Sequence, residues 1–173
     1  MLPFRGVRPK LSVALRGGYF SNFDRVAGPT AAVALDYHLP FAGGERFAVG
    51  VDLGLSMSTT NETMPESLTI ETRSLPMLAR ASVWHPVKMV WLYAGANFGP
   101  VVSELAVESA STGRIVTTEW TLALGAFAGA DVGLGPGRLI FEAGYTRANV
   151  DSSMVEGNVL GLQISAGYRL GLF

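Results

Sequence analysis

Leu160-Gly-Leu-Gln-Ile-Ser-Ala-Gly-Tyr-Arg-Leu-Gly-Leu-Phe173, the end of the chain, carries the pattern that decides the fold. Leu160, Leu162, Ile164, Ala166, Tyr168 and Leu170 are apolar or aromatic; Gly161, Gln163, Ser165, Gly167 and Arg169 between them are small or polar. Period-two alternation makes a strand with one greasy face and one small or polar face. Seven earlier segments repeat it, at about 10–20, 30–41, 47–58, 69–85, 90–102, 116–134 and 138–150. The third is the cleanest: Phe47, Val49, Val51, Leu53, Leu55 and Met57 alternate with Ala48, Gly50, Asp52, Gly54, Ser56 and Ser58. In the fifth, Leu92, Ala94, Ala96 and Phe98 are assigned outward, while Trp91 and Tyr93 on the opposite face leave its parity ambiguous.

Composition says what covers the greasy faces. The chain is 49% hydrophobic and 16% charged, against roughly 25% charged in an ordinary soluble domain. Its apolar runs are far shorter than the roughly 20 residues of a spanning helix. The alternative, a soluble barrel with the apolar face inside, needs a charged exterior, and the polar face here is too rich in Gly, Ala and Ser. The expected fold is therefore all-β: an eight-stranded antiparallel up-and-down transmembrane β-barrel with its apolar face toward lipid.

The connections have a rhythm. Those after the first, third, fifth and seventh segments are longer and polar, including 59–68 and the loop near Glu108 to Arg114. Those after the second, fourth and sixth are short and rich in Gly or Pro. Long extracellular loops and short periplasmic turns alternate in this way in outer-membrane barrels. An even strand count puts both chain ends on the short-turn side. Residues 1–9 read as a periplasmic N-terminal extension and 10–173 as the barrel. Met1 to Lys10 has no apolar stretch of signal-peptide type, so the expected chain is a mature form or the C-terminal domain of a longer one. The loops are modest, which limits the surface a partner can grip.

On the polar face stand Arg16, Arg80 and Arg169 against Asp36, Asp52, Asp131 and Glu142, with His38 and Gln163. An eight-stranded lumen is just wide enough to be filled by side chains, and unpaired buried charge is costly. These seven residues are expected to form a lumen charge network, paired as Arg16–Asp36, Asp52–Arg80 and Glu142–Arg169, with Arg169 also serving Asp131. A lumen so filled has no steady conductance, and Arg80→Ala is expected to loosen it. Aromatic residues are expected in two belts at the membrane interfaces. Tyr37, Phe41, Phe47, Trp84, Trp91, Tyr168 and Phe173 stand toward the short turns, and Tyr19, Phe98 and Trp120 toward the long loops.

Three stretches carry a family resemblance: Leu15-Arg-Gly-Gly-Tyr-Phe20; Ser74-Leu-Pro-Met-Leu-Ala-Arg80 followed by Trp91-Leu-Tyr-Ala-Gly-Ala-Asn-Phe-Gly99; and Gly167-Tyr-Arg-Leu-Gly-Leu-Phe173. On them the chain resembles the small outer-membrane β-barrel family, the porin-like superfamily that includes OmpA- and OmpX-type barrels. The resemblance implies a place in the outer membrane of a Gram-negative bacterium, among outer-membrane lipids. It also implies an assembly signal at Tyr168, Leu170, Leu172 and Phe173, read by the barrel assembly machinery. Phe173 is out of step with the other three, so a bulge or frayed end is expected there.

Little in the sequence points to chemistry. The chain has no cysteine, two histidines and a net charge of -1, with no basic patch for nucleic acid and no metal-ligand spacing. No cofactor and no enzymatic activity are expected. Lipid-modifying barrels need Ser, His and an acid at the long-loop rim, whereas His38 and His85 fall near short turns. The expected function is that of an integral outer-membrane barrel with a side-chain-filled lumen, in a structural, anchoring or surface-recognition role. The alternative is a narrow porin-like channel for ions or small solutes. A periplasmic or surface partner is left open.

Overall fold

The computed structural model describes residues 10–22, 26–40, 46–62, 68–109, 111, 113–151 and 156–172. Among them are nine strands: β1 (Leu11–Ser21), β2 (Ala27–His38), β3 (Phe47–Glu62), β4 (Leu68–Val87), β5 (Val90–Ser109), β6 (Gly113–Leu134), β7 (Gly137–Asp151), β8 (Glu156–Asn158) and β9 (Gly161–Gly171). Each of β1 to β7 pairs antiparallel with the next, β7 pairs with β9, and β9 returns to β1. Eight strands thus close a ring. The ninth, β8, is a short stub beside the end of β7. Leu15 faces Tyr168 and Tyr19 faces Ile164 across the closing seam. The expected N-terminal extension, Phe41, the 42–45 turn and Phe173 lie outside the described residues.

The ring is inside out relative to a soluble protein. Leu15, Leu53, Leu124 and Ile164 are 61%, 55%, 65% and 62% exposed, and Leu162 shares their outward parity while half-buried. Ala14, Ala34, Asp36, Arg80, Asp131 and Arg169 are buried on the other face. Alternation therefore read the faces correctly, including the outward set of β5. It failed at Leu160, and the expected aromatic belt failed at Trp84. Leu160 is fully buried inside the ring, because the last strand begins only at Gly161; φ there is +120° and an added Cβ would sit 2.5 Å from the Ser21 carbonyl oxygen. Trp84 is also interior rather than part of a belt. It has the inward parity of Arg80 and Ser82, and its indole N–H donates to Ser82 Oγ at 2.8 Å.

The wall is uneven. β1, β2 and β9 have 11, 12 and 11 residues, whereas β3 to β6 have 16, 20, 20 and 22. Roughly 9–11 residues cross a bilayer. On β4 the outward apolar run is Leu75, Met77, Ala79, Ala81 and Val83. One step above it Arg73 pairs across to Glu104, and higher still Arg114 meets Glu71 at 3.2 Å. The outward face thus changes from lipid-compatible to water-compatible between Leu75 and Arg73. Of the stretches expected as loop, 59–62, 108–109 and 113–114 are strand, and β3 to β6 rise as a sheet above the short wall.

Candidate functional site

Charge fills the middle and short-turn half of the lumen. Arg80 is the hub, with contacts to Glu142 at 2.8 Å, Asp52 at 3.1 Å and Asp36 at 3.4 Å. Arg16 pairs with Asp52 and Glu142. Arg169 pairs with Asp36 and, at 3.1 Å, with Asp131. Arg138 reaches Asp131 at 3.7 Å. Among the described residues these four arginines and four carboxylates form one connected, formally neutral cluster.

Of the three expected pairings, Asp52–Arg80 is present. Arg16 goes to Asp52 and Glu142 where Asp36 was expected, and Arg169 meets Asp131 as expected but takes Asp36 where Glu142 was expected. Distance along each strand from its turn misjudged the heights, because strands in a closed barrel are tilted and staggered. The register shows the result. Ser12 pairs with Asp36 on one side and with Gly171 on the other, which brings Asp36 next to Arg169 across β1. Arg138, absent from the expected set, has the inward parity of Glu142 and could have been found from alternation. It was hidden by its place directly after the Gly-Pro-Gly turn.

Aromatic rings wedge the cluster. Phe127 lies 4.1 Å from the Arg80 guanidinium, and Trp84 and Tyr93 lie 4.9 and 5.9 Å from that of Arg169, within cation–π range. Tyr93 donates its hydroxyl proton to Glu142 at 3.0 Å. Its ring occupies the space over Gly129, where any Cβ would lie 2.5 Å from it. His38, buried on the inner face, packs edge-on against Trp84 at 5.3 Å, while His85 is exposed on the outward face.

The long-loop half of the lumen is different. Leu78, Val101, Leu105, Ala123, Ala148, Val159 and Leu160 form a buried apolar cluster. Val159 and Leu160 enter it because Asn158 clasps the chain: its Oδ1 accepts from the Ala148 and Leu160 amides at 2.8 and 3.2 Å, and its carbonyl accepts from Asn22 Nδ2 at 2.8 Å. Between the apolar cluster and the charges lies a cavity of about 40 Å³, bounded by Arg16, Asp52 and Glu142 on one side and Leu78 and Leu160 on the other.

A second feature stands outside the lumen. β6 pairs with β7 only from Ala123 onward, whereas it pairs with β5 from Gly113. Among the described residues, the β7-side edge of residues 113–122 has no ladder pairing, although the Thr121 hydroxyl donates to the Asn149 carbonyl of β7 at 2.6 Å. Of the expected assembly-signal residues, Tyr168 faces outward and donates to the Leu134 carbonyl at 2.7 Å. Leu170 and Leu172 are exposed.

Solved structures share this architecture. Neisserial surface protein A matches with a TM-score of 0.58 at 16% identity, over 94% of this chain and 95% of that one. Ail, the attachment invasion locus protein of Yersinia pestis, crystallised with the heparin analogue sucrose octasulfate, matches with 0.58 at 16%, over 93% and 99%. Both are small eight-stranded outer-membrane barrels. The fold is that of a small outer-membrane β-barrel. No protein-family model and no curated protein sequence matches the chain.

Proposed function

We propose that this barrel resides in the outer membrane of a Gram-negative bacterium and works as a non-enzymatic surface-recognition element, with its tall wall as the recognition surface. The observation that carries this reading is the stretch 113–122 of β6, which stands above the apolar band and has no ladder pairing on its β7 side among the described residues. An open edge offers unpaired N–H and C=O groups to an incoming extended segment. Its sequence, Gly113-Arg-Ile-Val-Thr-Thr-Glu-Trp-Thr-Leu122, is rich in β-branched residues and has no Lys or Pro to blunt it. The lipid bilayer anchors the barrel, and the C-terminal strand is its handle for the assembly machinery. The name of Ail, a protein of attachment and invasion, agrees with a surface role.

The test is display of the full chain on a non-adherent bacterium, followed by binding to immobilised matrix and serum proteins. Ile115→Lys with Thr117→Lys blunts the edge while leaving the lumen network untouched. Binding by the unmodified barrel and loss in the variant support the reading. Equal binding by both, or none by either with the barrel at the surface, overturns it. Steady ion-selective current through the unmodified protein would favour the narrow-channel alternative.

A further inference from the structure

We infer that the lumen is shut twice, by two seals in series that work by different physics, so that opening either one alone leaves the barrel closed. The lower seal is the neutral cluster around Arg80, which blocks by filling the bore with ion-paired side chains wedged by Phe127, Tyr93 and Trp84. The upper seal is the apolar cluster of Leu78, Val101, Leu105, Val159 and Leu160. It carries no charge to replace an ion's hydration shell, and an apolar constriction blocks by excluding water.

Two observations make the seals separate. The cavity between them is lined by both: Arg16, Asp52 and Glu142 from the charge cluster, Leu78 and Leu160 from the apolar one. Asn97 lines the same cavity, and its Oδ1 is buried without a hydrogen-bond partner among the described residues. The upper seal is also held by its own clasp. Val159 and Leu160 are turned into the bore by Asn158, by the Val159 amide donating to the Ala148 carbonyl at 3.0 Å, and by Gly161 at φ +120°. None of these bonds involves a residue of the charge cluster. The expectation that Arg80→Ala by itself raises conductance is therefore revised: the cap above it still excludes water.

The chain has no cysteine, so Asn97→Cys places a single reporter between the seals. Refolded protein in oriented proteoliposomes is treated with a small cationic methanethiosulfonate from one side at a time. In the otherwise unmodified barrel the reporter stays unreactive from both sides. With Leu105→Ser and Leu160→Ser it reacts from the long-loop side only; with Arg80→Ala it reacts from the short-turn side only. In planar bilayers, without the reporter, each set alone stays silent and the combination gives steady current. Steady current from either set alone overturns the inference, as does reaction in the unmodified background, or silence of a combination that still shows the heat-modifiable gel shift of a folded barrel. If the combination does not fold, the one-sided labelling decides: reaction from both sides in either single-seal variant overturns it.

Discussion

The short wall of the barrel and the tall wall obey the same alternation and end in different solvents. β1, β2 and β9, with 11, 12 and 11 residues, are about as long as the bilayer requires. β4, β5 and β6 carry 20, 20 and 22 residues, well beyond what a bilayer crossing needs. The difference teaches that period two says which way a residue points, not what it points at. On β6, Leu124 and Thr118 have the same outward parity, yet the first meets lipid and the second meets water. The inner face changes as well, from ion pairs low in the bore to an apolar cap above.

The sharpest way to break the lower region is at its hub. Arg80→Ala leaves four carboxylates facing three arginines and removes contacts to Asp36, Asp52 and Glu142 at once. Removing one partner from a buried ion pair costs about 3–5 kcal/mol, and that loss is expected in reversible urea unfolding from lipid vesicles. A loss below about 1 kcal/mol, the scale of an exposed pair, would show that water reaches these charges.

The two solvents of β6 can be compared directly. Leu124→Arg puts a cation on the lipid face near mid-span and is expected to cost about 2–4 kcal/mol. Thr118→Arg, six residues up the same face, is expected to stay within about 0.5 kcal/mol of the unmodified protein. Equal costs in the same unfolding assay would move the membrane boundary and erase the distinction between the walls.

How much of this the sequence could show follows from the same contrast. Strand faces, closure of the first strand on the last, and the identity of most lumen charges are properties of local alternation, which a single strand already displays. The partners of Arg16 and Arg169 are not, because they depend on the stagger around the ring, which no one strand records. Trp84 was misplaced by residue type, which suggested an interfacial belt, although its parity with Arg80 pointed inward. Leu160 was misplaced because one glycine with an unusual backbone conformation ends the alternation one residue earlier. Parts of the tall wall, 59–62, 108–109 and 113–114, look like loop because the Thr, Asn, Glu, Ser and Gly there show no greasy face, and a strand end that stands in water does not need one.

That glycine gives a smaller test, on the short wall. Gly161→Ala must accept φ +120° and a Cβ 2.5 Å from a backbone oxygen. Strained backbone of this kind costs about 1–3 kcal/mol. The expected change is a lower melting temperature, with the circular dichroism signature of the barrel retained. If Ala is tolerated without loss, the clasp at Asn158 is not holding the turn into the lumen.

The smallest expected effect is at the top of the tall wall. Arg114 and Glu71 meet at 3.2 Å, with side chains 51% and 40% exposed. The pair resembles the lumen pairs in distance and differs from them in solvent. Water screens both ions there, and holding two long side chains in one geometry costs entropy, so such a pair contributes about 0–1 kcal/mol. Glu71→Gln should therefore be close to neutral in the unfolding assay, and whatever difference it makes should vanish at high salt. A loss comparable to that of Arg80→Ala would mean that something excludes water from the upper sheet, and the surface proposed to receive a partner would already be covered.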